Sequence, residues 1–144
     1  MQQLPNVTGW WVQVVDTDKS SYGQILESIC DVPVTSMNYT FFECYYLIDA
    51  SSIHIPSGVV EAKSCFYGCD NLTTAPELVS SLKDISYMFS YCISLTGDIV
   101  VNCEPDSYER CFDNTSNSIT LSGSSSKKAE IAATSTAGNV TVKK

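Results

Sequence analysis

Apolar positions recur along this chain as a phrase: an aromatic residue, a cysteine three residues on, and a leucine three beyond that. It reads Phe41/Cys44/Leu47, Phe66/Cys69/Leu72 and Phe89/Cys92/Leu95, with a worn copy at Tyr108/Cys111/Asn114. The aromatic positions fall 25, 23 and 19 residues apart. Four residues before the first three aromatics stands a further apolar residue, Met37, Ala62 or Ile85. This i, i+4, i+7 series predicts one face of a helix about two turns long. So short a helix is marginal alone in water and must be held by packing. Cysteine suits the third position as a small buried hydrophobe, where a larger side chain would push neighbours apart. In the fourth copy Glu104 replaces the first apolar residue and Asn114 the leucine. The array is expected to end there.

A second register runs between the phrases. Short segments alternate apolar and polar in strand fashion: Ile53-His54-Ile55, Ile99-Val100-Val101, Ile119-Thr120-Leu121 and Val140-Thr141-Val142, with Ala75-Pro76-Glu77 as a poorer equivalent. Their first residues, Ile53, Ala75, Ile99, Ile119 and Val140, lie 22, 24, 20 and 21 apart. Helical turn and strand thus alternate with one period, which predicts a solenoid whose units bury their apolar faces only against one another. Each unit adds a strand to a parallel ladder.

The stretches Ala62-Lys-Ser-Cys-Phe-Tyr-Gly-Cys-Asp-Asn-Leu-Thr-Thr-Ala-Pro76 and Ile85-Ser-Tyr-Met-Phe-Ser-Tyr-Cys-Ile-Ser-Leu-Thr96 closely resemble the BspA-type leucine-rich repeat. The resemblance covers roughly residues 36 to 115. It implies an α/β fold, a short leucine-rich-repeat solenoid with a parallel β-ladder and short helical turns, capped at both ends. It also implies an adhesive or displayed role on a bacterial surface. The repeat core would be Phe41, Cys44, Leu47, Phe66, Cys69, Leu72, Phe89, Cys92, Leu95, Tyr108 and Cys111.

The organisation expected is one compact unit in three parts: a flank or cap over 1–35, the array over 36–115 and a closing unit over 116–144. Trp10 to Val15 reads as a strand, and Tyr22 to Cys30 as a helix stopped by Val32-Pro33. Lys127 to Thr134 reads as a two-turn helix that Gly138 helps to close. Ile131 lies 23 residues after Tyr108, so this closing unit has the place of a fifth copy rewritten as a cap. The 144 residues, 44% hydrophobic, suffice for one core. No run approaches the length of a membrane span, so membrane insertion by this chain is not expected. The first residues, Met1-Gln-Gln-Leu-Pro-Asn, do not look like a signal peptide.

Charge narrows the partners. Residues 1–126 hold 15 acids against 4 bases, a net of −11, whereas 127–144 hold 4 bases and 1 acid, a net of +3. An acidic array repels phosphate backbones, which argues against nucleic acid except at the small basic tail. A solvated surface is the plainer reading of those acids.

The chemistry-bearing residues support no catalytic site and no cofactor. Four of the seven cysteines (Cys44, Cys69, Cys92 and Cys111) occupy the phrase and are expected to be buried free thiols, while Cys30 and Cys103 stand outside it. Cys65 and Cys69, four apart, permit a metal site on spacing alone. The single histidine, His54, lies in the strand register, and no Cys-x-x-Cys pair is present, so no metal is expected. A cysteine nucleophile would need His54 as its base, and His54 should point away from the phrase. No nucleophile elbow, phosphate loop or zinc-protease motif occurs. Five Asn-x-Ser/Thr sequons, at Asn6, Asn38, Asn71, Asn114 and Asn139, carry little weight in a chain so rich in these residues. The expected function is protein binding or adhesion at a cell surface or after secretion, toward a protein or surface glycan. The expected face is the outward strand positions His54, Thr74, Glu77, Asp98, Val100 and Thr120. A structural or docking module of a larger assembly, such as a phage virion, is the other reading.

Overall fold

The computed structural model describes residues 33–144, the backbone at position 32, and three short stretches nearer the N-terminus. Two antiparallel pairs come first: β1 (Gln2–Gln3) with β2 (Trp10–Trp11), and β3 (Ser28–Ile29) with β4 (Val32–Pro33). The strand expected over Trp10–Val15 is present at its first two residues, and 12–15 lie outside the described residues. The helix expected over Tyr22–Cys30 is contradicted at Ser28 and Ile29, and its remainder lies outside the described residues. Proline disfavours the helical region for the residue before it, so Val32 is extended and pairs with Ile29.

Where the sequence predicts short helices at the phrases, the structure has chains of tight turns. The amides of Thr40, Phe42 and Cys44 each turn back to the carbonyl three residues earlier, at 3.2, 3.3 and 3.1 Å. The alternate amides, on Met37, Tyr39, Phe41 and Glu43, reach across to the carbonyls of Glu61, Lys63, Cys65 and Tyr67, at 2.7, 3.0, 2.8 and 2.7 Å. The pattern recurs from Ala62, Ser64, Phe66 and Gly68 onto Asp84, Ser86, Met88 and Ser90, and from Ile85, Tyr87, Phe89 and Tyr91 onto Ser107, Glu109, Cys111 and Asp113. An α-helix commits its amides to its own fourth preceding carbonyls. Here half of them join one phrase to the next, so no helix forms.

Left-handed backbone makes this possible. Tyr39 and Glu43, Ser64 and Gly68, Tyr87 and Tyr91, and Arg110 and Asn114 all have φ between 51° and 70°. Such a conformation costs roughly 1–2 kcal/mol for a residue with a Cβ, and the bonds between phrases offset it. A left-handed residue every fourth position returns the chain to the same face. The apolar spacing therefore reads as helical although the backbone is not.

The bonds between phrases also correct the alignment of the fourth copy. Phe89 donates to the Cys111 carbonyl as Phe66 does to Met88, so the residue matching Phe89 is Phe112, not Tyr108. Phe41, Phe66, Phe89 and Phe112 form one buried stack, with centroids 5.3, 5.5 and 5.4 Å apart and planes within 12°. The aromatic spacings become 25, 23 and 23. Tyr108, half-buried, takes the place of Met37, Ala62 and Ile85, not Glu104. Cys111 belongs beside Thr40, Cys65 and Met88, and Thr115 takes the expected cysteine place. Asn114 is no lost leucine: it fills the left-handed position shared with Glu43, Gly68 and Tyr91, which asparagine tolerates better than most residues.

The second register ends in a three-stranded parallel sheet, β5 (Gly97–Val100), β6 (Ile119–Ser122) and β7 (Val140–Val142), in the order β5-β6-β7. Ile119 pairs with Gly97 and Val140, while Ile99 pairs with Leu121 and Leu121 with Val142. The expected alignment of Ile99 with Ile119 is thus two residues out. A slip of two preserves which side chains face inward, and Ile99, Ile119 and Leu121 are all buried. The expected strands at Ile53–Ile55 and Ala75–Glu77 do not form; there only isolated parallel bridges, Asp49 with Thr74 and Leu78 with Val101, join the segments. Between β6 and β7 lies α1 (Lys128–Ala132), which buries Ile131 and Ala132 and is shorter than the helix expected over Lys127–Thr134. The Lys127 amide donates to Ser125 Oγ at 3.2 Å, yet no side chain caps the helix. The buried side chains from Val34 to Val140 form one cluster, and the three-stranded parallel sheet with its short helix is compatible with the α/β class. Among the described residues no helix is long and apolar enough to cross a membrane.

Candidate interaction surface

The six positions expected to form a binding face are all at least partly exposed. His54, Glu77 and Asp98 are exposed, and Thr74, Val100 and Thr120 half-buried. The sheet brings Asp98, Thr120 and Thr141 into one row and Val100 opposite Ser122. His54 stands between buried Ile53 and Ile55, outside any strand. Much of this face is occupied by its own bonds. Ser122 Oγ donates to Asp98 Oδ2 at 3.0 Å, Asn102 Nδ2 donates to Glu77 Oε1 at 3.1 Å, and Thr74 bonds Asp49. These bonds tie neighbouring segments together, and hydrogen bonds from Ser51 first and Thr74 next hold Asp49 below the usual carboxylate range.

The cysteines are likewise structural in their surroundings. Cys44, Cys65, Cys69, Cys92, Cys103 and Cys111 are unpaired thiols, all buried except half-buried Cys44. Cys103, outside the phrase, is as buried as those within it; Cys30 lies outside the described residues. Cys69 Sγ donates to the Phe41 carbonyl and Cys92 Sγ to that of Phe66, each at 3.0 Å. At the same place in the fourth phrase Thr115 Oγ1 donates to the Phe112 carbonyl at 2.9 Å. Burial raises every one of these thiols, Cys44 and Cys103 to about 11. They are protonated at neutral pH, and a protonated thiol is a poor nucleophile. Among the described residues no three His, Cys, Asp or Glu side chains gather to hold a metal ion.

A second aromatic row stands on the outer side of the same turns, and the sequence reading missed it. Phe42 stacks on Tyr67 at 5.0 Å with planes 10° apart. Tyr39 meets Phe42 edge-on at 5.6 Å, and Tyr67 meets Tyr91 at 5.4 Å. Phe42 and Tyr91 are 40% and 46% exposed, and Tyr45, Tyr46, Ile48 and Ile93, two to six residues along the chain from them, are exposed at 44–71%. The row crosses three successive phrases as a ridge. Its signal in the sequence is an aromatic directly after a core aromatic, in Phe41-Phe42 and Phe66-Tyr67, which a helical reading assigns to an unimportant face.

The ridge is flanked by acids. Partial desolvation first, then the Glu43 and Asp70 carboxylates, raise the Tyr45 hydroxyl; Tyr67 is raised by desolvation, then by Tyr91, Glu43 and Asp113. Elsewhere a shallow cleft of about 490 Å³ lies over the first residues of the later phrases, lined among others by Lys63, Asp84, Ser86, Asp106 and Glu109. Asp84 there accepts bonds from the Ser86 amide and hydroxyl at 2.9 and 2.6 Å. No family model, curated protein or solved structure matches the chain.

Proposed function

We propose that this chain is a non-enzymatic binding module, a BspA-type leucine-rich-repeat solenoid of a bacterial surface or secreted protein. The observation that carries this reading is the exposed aromatic ridge of Phe42, Tyr67 and Tyr91 with Tyr45, Tyr46 and Ile93 beside it. Contiguous exposed apolar groups mark interaction sites, and tyrosine supplies large contact area at little entropic cost. Stacking of successive phrases through backbone bonds supports the solenoid. The buried, protonated thiols and the single exposed histidine support a role without catalysis.

Adhesion tests the reading directly. Beads carrying the chain are expected to adhere to cell surfaces, and protease treatment of those surfaces should abolish it. Beads carrying Phe42→Ser with Tyr91→Ser should adhere several-fold less, since few residues carry most of a binding energy. Equal adhesion by this variant, folded by circular dichroism, would sink the reading.

A further inference from the structure

We infer that the ridge docks a cationic polypeptide segment, one that alternates Lys or Arg with apolar side chains. The inference rests on the binding-module reading above and names its partner. Its first support is charge. Residues 33–126 hold 11 acids against 3 bases, and Glu43, Asp70 and Asp113 are the carboxylates that act on the ridge tyrosines. Complementary charge steers encounter and rejects like-charged partners.

Ring geometry is the second support. Phe42 and Tyr67 lie nearly parallel at 5.0 Å and, with Tyr91, make an extended apolar strip. Aliphatic stems of Lys and Arg lie along such apolar surface while their heads reach outward to charge. With Glu43 following Phe42 directly, Asp70 acting on Tyr45 and Asp113 on Tyr67, such heads find carboxylates beside the ridge. A second copy docked ridge to ridge would bring the same acidic flank and be repelled.

The probe is a fluorescein-labelled peptide of repeated Lys-Phe-Arg-Leu units, compared by anisotropy with its Glu-Phe-Asp-Leu counterpart. The cationic peptide should bind the full chain at least about tenfold more tightly, and lose about tenfold between low and high salt. Glu43→Gln with Asp70→Asn should weaken it about tenfold, as should Phe42→Ser with Tyr91→Ser, with unchanged circular dichroism. Equal binding of both peptides, or no loss in either variant, overturns the inference. So does self-association of the chain that Phe42→Ser abolishes. A photo-crosslinker at Tyr46 that captures residues 1–31 of the same chain overturns it too. Ridge-dependent adhesion without a cationic preference overturns this inference alone; loss of both overturns the module reading as well.

Discussion

Two aromatic ladders run through this protein one or two residues apart in sequence. Phe41, Phe66, Phe89 and Phe112 stack inside; outside, Phe42 stacks on Tyr67, which meets a tilted Tyr91. Their spacings agree, 5.3–5.5 Å within and 5.0–5.4 Å without, because both are set by the backbone bonds that join successive phrases. Their surroundings differ. The inner rings are at most 1% exposed, whereas Phe42 and Tyr91 are 40% and 46% exposed. The same scaffold thus produces a core and an exposed ridge from neighbouring residues. Burial makes the first a matter of stability, and exposure makes the second available to a partner.

The largest effects should separate the ladders. Phe66→Ala, Phe89→Ala and Phe112→Ala are each expected to cost about 3–5 kcal/mol in urea denaturation, the usual penalty for emptying a buried aromatic site. Phe112 is the sharp case, since the phrase spacing read from sequence gives that role to Tyr108. Tyr108→Ala, at a half-buried site, should cost less than Phe112→Ala; the reverse order would break the stacking alignment.

The thiols beside the inner ladder give an intermediate effect. Burial raises their pKa, so the folded state holds their protons more tightly than the unfolded state. An unfolded thiol ionises near pH 8.5. Their contribution is therefore fully present below that pH and is lost as pH rises, for Cys44 and Cys103 toward about 11. Urea midpoints should fall from about pH 8.5 upward. Alkylation of the native protein at neutral pH should leave Cys69, Cys92, Cys103 and Cys111 unlabelled, and unfolding without reductant should free them. A flat midpoint across this window, or rapid native labelling of Cys92, would contradict the packing described.

The smallest effects belong to the outer ladder. Phe42→Ala and Tyr67→Ala forfeit a ring pair worth about 0.5–1.5 kcal/mol and little buried area. A loss from Tyr67→Ala as large as that from Phe66→Ala would show the outer ring to be core. A loss this small together with lost adhesion would complete the contrast.

Much of the inner ladder was legible in the chain. Apolar residues at a steady interval identify Phe41, Phe66, Phe89, their leucines and their cysteines as buried, since burial follows periodicity whatever the backbone does locally. The inward and outward strand positions were legible too: Ile99 and Leu121 face in, Asp98 and Thr120 outward. Three things were not. Spacing at i, i+4, i+7 is common to an α-helix and to turns with a left-handed residue every fourth position. The φ values of Tyr39, Tyr87 and Arg110 leave no mark that residue type reveals. The register of the fourth phrase required the bond from Phe89 to Cys111, because Tyr108 and Phe112 both fit an aromatic pattern.

Sequence by itself therefore determined which side chains leave water and that they do so with one period. Hydrophobic burial is additive and local enough to be read position by position. Tertiary structure alone decided how the backbone satisfies its amides, half within a phrase and half across to the next. That choice depends on a neighbour some 23 residues away. It also places Phe42, Tyr67 and Tyr91 side by side on the outside, where no local pattern joins them.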